Sequence, residues 1–160
     1  MQKIANIRID VRLIHGQVAA IWVNTLHITR IMVVDETAYG DATLKMALKL
    51  ACPAGVKLSV LTPEKAATNL NNQKYDGDNI MLVVKNPLTL LKLWDCGWYF
   101  DTVNVGNMAS GVNTKQVKRT VHVSPQDIDN FHELAKRGVK FTAQMTPGEE
   151  FGDFIEALDR

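Results

Sequence analysis

The 160-residue sequence predicts an α/β domain: an open, mainly parallel β-sheet of six or seven strands, the last one antiparallel, with helices on both faces. Three observations predict it. Short β-branched runs alternate with helical apolar periods at a steady beat. The run RIMVVDE is too uniformly apolar for a strand with one wet face and reads as a central strand. Two helical segments, PLTLLKLWDCG and SPQDIDNFHELAKRG, begin at a proline and stop at a glycine, as capped helices do.

In order, KIANIRID is the first strand, and a helix follows from Gly16 to about Leu26, where Val18, Ile21, Trp22 and Leu26 recur at helical spacing. RIMVVDE is the second strand, DATLKMALKLAC a helix stopped by Pro53 and Gly55, and VKLSVL the third strand. TPEKAATNL opens with a Thr-Pro cap and makes another helix. NIMLVVK is a strand and PLTLLKLWDCG its crossover helix; TVNVG is the fifth strand. Residues 106–118 have no clean period and read as a long irregular loop. RTVHVS is a short strand, SPQDIDNFHELAKRG a helix with Ser124 and Asp127 in a box-like pair, VKFTAQM the last strand, and PGEEFGDFIEAL a terminal helix. No repeat or linker divides the chain, so residues 1–160 read as one domain.

Composition narrows the functional classes. Eighteen basic and 17 acidic residues leave a formal charge of +1, without the electrostatic footprint of a nucleic-acid binder. No apolar run approaches the ~18–20 residues that span a bilayer, and the first residues carry charges where a signal peptide would carry its apolar core. A cytoplasmic protein is expected. Cys52 and Cys96 fit neither a metal spacing nor a redox pair and read as packing. The P-loop and dinucleotide fingerprints are absent, and Thr62 stands where a receiver domain would carry its phosphorylated aspartate.

In open α/β sheets ligands gather beyond the carboxyl ends of the strands, and the first such place holds Asp10, Arg12 and His15 within six residues. A histidine at the start of a helix meets unpaired N–H groups and the positive end of the dipole, which favour an anion. The same field favours the neutral ring that a phosphoryl acceptor needs. Arg12 has a planar fork for phosphoryl oxygens, Asp10 a carboxylate for the other ring N–H of His15, and Gly16 lets backbone approach the group. The alternative is a histidine that only caps a helix. His27, His122 and His132 read as structural, and no histidine has a partner at metal-ligand spacing, so no metal is expected. Val11, Leu13 and Ile14 are apolar in an exposed loop and read as a partner-binding patch; tucking into the core is the equal alternative.

RIDVRLIHGQVAAIWV resembles the active-site signature of the IIB subunits of the mannose/fructose/sorbose class of the bacterial phosphoenolpyruvate-dependent sugar phosphotransferase system. The resemblance continues through IMVVDETAYGD, TPEKAATNL, TVNVGNM and TVHVSPQDIDNFHELAKRGVKF, nearly the whole chain. It implies a phosphocarrier, a protein-Nπ-phosphohistidine–sugar phosphotransferase, working without cofactor. His15 would take a phosphoryl group from the IIA subunit and pass it to a sugar held by the membrane subunits IIC and IID, to which the domain attaches peripherally. Arg12 and Asp10 would serve the transfer, with Gly16, Gln17 and Asp35 supporting; for Asp35 an ion pair or helix cap is the alternative. Asn107 replaces the second glycine of the common Gly-Gly-Met stretch, a variant similar to the amino-sugar branch (N-acetylgalactosamine or galactosamine). Two rival readings are a regulatory module that docks IIA-like partners without transfer, and an unrelated domain that binds an anion without covalent chemistry.

Overall fold

The computed structural model describes residues 1–149 and 152–160. The chain runs β1 (Lys3–Asp10), α1 (Gly16–Leu26), β2 (Arg30–Val34), α2 (Glu36–Tyr39), α3 (Ala42–Ala51), β3 (Lys57–Leu61), α4 (Pro63–Asn71), β4 (Asn79–Val84), α5 (Pro87–Asp95), β5 (Thr102–Asn107), β6 (Lys115–Lys118), β7 (Val121–Val123), α6 (Pro125–Lys136), β8 (Lys140–Thr142) and α7 (Phe154–Leu158). Six strands form one parallel sheet in the order β3-β2-β4-β1-β5-β8, so β1 lies inside it.

Alternation along the strands sorts the core onto two faces. Ile7, Ile9, Met32, Val34, Leu82 and Val84 face the layer made by α4, α5, α6 and α7. Ile31, Val33, Met81 and Val83 face the other way, against Val18, Ala19 and Trp22 of α1 and Leu48 of α3. Helices therefore cover both faces. α1 leaves β1 toward one face, while the helices following its neighbours β4 and β5 pack on the other, which opens a crevice at the end of β1.

Two sequence expectations need correcting. The last strand, expected antiparallel, pairs with β5 in parallel, Thr102 opposite Lys140. The reason is that β7 bridges in parallel to the end of β5 at Met108–Val121, and α6 then carries the chain back to the starting end of the sheet. Secondly, β7 lies outside the main sheet. It forms an antiparallel ribbon with β6, which occupies part of the stretch read as an irregular loop. The short α2, four residues capped by Asp35, is too brief to show a period. The terminal helix read from Pro147 onward begins only at Phe154; its expected residues 150 and 151 lie outside the described residues.

At the opposite end of the sheet Asp78 ties three segments together. It accepts from Thr29 Oγ1 (3.0 Å), Arg30 Nε (2.9 Å) and Lys57 Nζ (3.3 Å). Burial pushes its carboxyl pKa up, but the bonds from Arg30, Thr29 and Lys57 outweigh that and hold it below the usual carboxylate range. A depressed folded pKa contributes stability that is present above ~3.9 and lost as pH falls through the lowered value. Asp78→Asn is therefore expected to unfold at lower urea than the wild type at pH 7, and the gap should narrow below about pH 4. A gap that stays constant into that acid range would contradict the assignment.

Candidate functional site

The site begins with a turn. Asp10 ends β1, and the Leu13 N–H donates to the Asp10 carbonyl at 2.9 Å, closing residues 10–13. Val11 N–H donates to the Asn107 carbonyl at 3.0 Å, which fastens the turn to the end of β5. Leu13 has φ +62°, a left-handed backbone rare for a branched side chain and costing about 1–2 kcal/mol. Leu13 and Ile14 sink into the core beneath α1, both 7% exposed, and hold the strained turn in place. The expectation of a partner-facing patch is thus corrected for these two: apolar side chains this close to an unfilled face of the sheet bury themselves in their own domain. Val11 is half-buried beside Arg12.

His15 is the N-cap of α1 and is exposed. Its carbonyl accepts from Ala19 N–H at 2.8 Å, so the helix runs from this residue onward. Its imidazole makes no hydrogen bond among the described residues, and α1 has no acidic residue in its first turn. The other helices differ: Asp35, Asp41, Thr62, Asn86, Ser124 and Asp153 each cap theirs with a side-chain oxygen. The helix that starts at this turn is left bare, with its positive end open.

Asp10 does not reach His15. Its carboxylate is 1% exposed and is consumed by arginines. Arg12 clamps it side-on, Nε to Oδ1 at 3.0 Å and Nη2 to Oδ2 at 2.9 Å, and the Arg12 amide adds a third bond at 2.9 Å. Arg8 Nη2 approaches Oδ2 at 3.3 Å from within the sheet. The expected aspartate–imidazole bond is therefore replaced by an aspartate–arginine one. A buried carboxylate at the foot of the turn satisfies the guanidinium beside it and the amide that the turn presents. Arg12, 29% exposed at its side chain, keeps its Nη1 edge without a partner among the described residues.

Arg8 is the site residue that sequence reasoning missed. It is 2% exposed on β1, two residues before Asp10 and on the same face. Nη1 donates to the Gln144 carbonyl at 2.9 Å, and Cζ lies 5.5 Å from the centre of the Trp22 ring. Burial lowers the guanidinium's pKa from its ordinary value, against the opposing pull of Asp10. Its sequence signal is a charged residue that alternates with Asn6 and Asp10 along β1, opposite Ile7 and Ile9. Gly106 makes its room: a Cβ there would stand 2.2 Å from Arg8 Cζ. Gly106 lies where the β1–β5 register slips, because Ile9 faces Val105 but Asp10 faces Asn107.

The remaining candidates divide. Gly16 and Gln17 are exposed at the helix mouth, and an added Cβ at Gly16 would meet only Ala51 O at 3.6 Å. Glycine there is not required by packing, and it leaves the mouth open. Asp35 makes no bond to the imidazole: it caps α2 through Ala38 N–H at 3.0 Å and lies 3.6 Å from Lys85 Nζ. Asn107 lies against the turn through its carbonyl. His27 is the left-handed C-cap of α1, and His132 lies 2.8 Å from Asp159. No group of three or more potential metal ligands occurs among the described residues.

Two guanidinium groups about one carboxylate leave this corner cationic, beneath an exposed imidazole at an uncapped helix start. Fold and loop together define a doubly wound α/β domain with an open, basic corner at the end of an inner strand. Residues 4–160 match the family described as PTS system sorbose subfamily IIB component. The chain is 33% identical over 158 residues to the PTS system fructose-specific EIIB component of Bacillus subtilis, covering 99% of this chain and 97% of that protein. It is 35% identical over 156 residues to the PTS system mannose-specific EIIAB component of Escherichia coli, covering 96% of this chain and 48% of that longer protein. The crystal structure of the IIBSor domain of the sorbose permease from Klebsiella pneumoniae superposes with a TM-score of 0.92 at 31% identity, over 98% of this chain and 96% of that one. The chain belongs to the sorbose subfamily of PTS IIB components.

The geometry makes two predictions. Gly106→Ala is expected to cost about 3 kcal/mol or to prevent folding, since the added methyl competes with a buried guanidinium. Arg8→Met fills similar volume but leaves Asp10 with one cation, and a loss of about 3–5 kcal/mol in urea unfolding is expected. A loss below about 1 kcal/mol in either would mean that the buried triad does not carry the loop.

Proposed function

We propose that His15 is the phosphoryl carrier of this IIB component. A neutral imidazole nitrogen attacks the phosphoryl group held on a phosphohistidine of a IIA subunit. The N–P bond to the donor ring breaks as the bond to His15 forms. The charge on the phosphoryl oxygens then rests against the bare N–H groups of α1 and the free edge of Arg12. Asp10 acts through Arg12, fixing the plane and position of the fork, and Arg8 acts through Asp10. Gly16 and Gln17 line the approach. In the second step the His15 N–P bond breaks as a P–O bond forms to a hydroxyl of a sugar presented by IIC and IID, and the hydroxyl proton passes to the freed imidazole or to water.

The observation that carries this reading is the uncapped start of α1 under an exposed histidine, beside an arginine already clamped in place. Phosphoryl transfer asks a protein mainly for positioning and charge stabilisation, which such a corner supplies without metal or cofactor. The fusion named in the E. coli mannose-specific EIIAB relative supports a IIA donor. An amino sugar is proposed on the strength of Asn107. No helix among the described residues is long and apolar enough to cross a membrane, which suits a cytoplasmic domain carried at the membrane by its permease partners.

The test is mass spectrometry of the intact chain and its peptides after incubation with phosphoenolpyruvate, the two general phosphotransferase proteins and a cognate IIA. One acid-labile phosphoryl group on His15 is expected, absent in His15→Ala. Arg12→Met should slow its appearance by about 100-fold, in line with removal of one charge-stabilising group. A IIA shown to be charged and to bind, with no covalent product on this chain, would sink the carrier reading and favour a regulatory docking module.

A further inference from the structure

β3 closes one side of the sheet, and among the described residues β2 is its single neighbour. The Lys57 N–H donates to the Thr29 carbonyl at 3.0 Å, and the Leu61 carbonyl accepts from the Asp35 N–H at 3.0 Å. Residues of that parity spend their backbone groups on β2. Leu58 and Val60, of the other parity, turn their N–H and C=O groups to the outer edge. The strand is also thinly covered on the α3 side, where Val56, Leu58 and Val60 are only half-buried. These three floor a groove of about 570 Å³ between β3 and the flank of α3.

The wall above that floor is cationic. Lys45 and Lys49 stand one turn apart on α3, and both line the groove and are exposed. Lys57, Lys85 and Lys92 each pair with a carboxylate, but among the described residues Lys45 and Lys49 pair with none. Lys45 Nζ lies 4.5 Å from the centre of the Tyr39 ring. Among the described residues no acidic side chain lines the groove. Four residues of helix separate the two ammonium groups by ~6 Å along the axis. Alternate residues of an extended strand repeat at ~6.6 Å. A strand laid along the free edge, with an acid at every second position, therefore brings one carboxylate to each lysine. The methylene stems of those acids then cover Leu58 and Val60.

Charge decides what fits this edge. A second copy of β3 would bring two sets of lysines together, and such charges bar a strand from pairing with itself. The same lysines attract an acidic strand. A small free acid would answer the ammonium groups but leave the outward backbone of Leu58 and Val60 unused. We infer that the outer edge of β3 docks an extended acidic segment of a partner protein, which adds a seventh strand to the six-stranded sheet. The site is three strand spacings from β1, ~14 Å across the sheet, and is separate from the His15 turn.

The test uses the full chain and a short end-blocked peptide that alternates glutamate with valine, followed by amide NMR and hydrogen exchange. Three companions are a peptide with lysine for glutamate, one N-methylated throughout, and free glutarate. The glutamate peptide is expected to shift the Leu58 and Val60 amides saturably. At ten times its Kd it should slow their exchange by about tenfold, since only the free edge exchanges. The double variant Lys45→Glu with Lys49→Glu should bind it about tenfold more weakly and accept the lysine peptide instead. Both side chains are exposed, so the unfolding midpoint of that variant should stay near the wild type's. No saturable shift up to about 10 mM peptide overturns the inference. So does equal binding of the lysine or N-methylated peptide to the wild type, or equal exchange protection by glutarate. Phosphorylation of His15 in the double variant is expected to be unchanged, so the docking edge and the carrier reading are tested apart.

Discussion

Asp10 carries a negative charge into a place with almost no water, and that charge must be met. Removing a carboxylate from solvent costs several kcal/mol unless cations and N–H donors replace the lost hydration. Here Arg8 meets it from inside the sheet, Arg12 from the solvent side, and the Arg12 amide from the turn itself. Because one carboxylate serves all three, the direction of the turn, the plane of the outer guanidinium and the position of the inner one are set together. Arg8 passes the constraint outward. It needs a strand residue without a Cβ at Gly106 and a carbonyl at Gln144, and it lies near the ring of Trp22. Gln144 shares its carbonyl with Asn104, so β1, β5 and the segment after β8 meet in one network.

The loop built on this base holds features that a fold optimised for stability alone would lack. Leu13 keeps a left-handed backbone, and α1 begins without the side-chain cap that the other helices have. A capping residue is worth ~1 kcal/mol, and a relaxed turn about as much again. Both costs fall at the residues flanking the imidazole, and burial of Leu13 and Ile14 in the core offsets them. An incoming phosphoryl group would supply the missing cap. In this reading the empty helix mouth and the carrier function are the same property, and the local instability is confined to the few residues that handle the group.

Much of the architecture was legible because its signals are local. The span Gly16–Leu26 follows from the apolar period of Val18 and Trp22, and the capping box of Ser124 and Asp127 is formed as its spacing implies. The placement of His15 at a helix start after the first strand needed only the strand–glycine–helix pattern. The direction of the last strand was not legible, because it depends on where β7 is anchored, a contact between Met108 and Val121 that no period encodes. Arg8 escaped for a similar reason. A lone arginine in a strand reads as an edge charge until the strand is known to lie inside the sheet.

The sequence by itself determined the alternation of strands and helices, the caps and stops that bound most of them, and the gathering of Asp10, Arg12 and His15 at the end of β1. These rest on periodicity and on bonds between residues a few positions apart, which a chain carries wherever it folds. Only the tertiary structure decided how Asp10 spends its charge, that Leu13 and Ile14 turn inward, and that Gly106 must be bare. It also decided that β3 lies at the edge of the sheet, with one side of its backbone free. Each of these turns on groups distant in sequence competing for the same buried space or the same hydrogen bond, and such a competition has an outcome only once the strands are side by side.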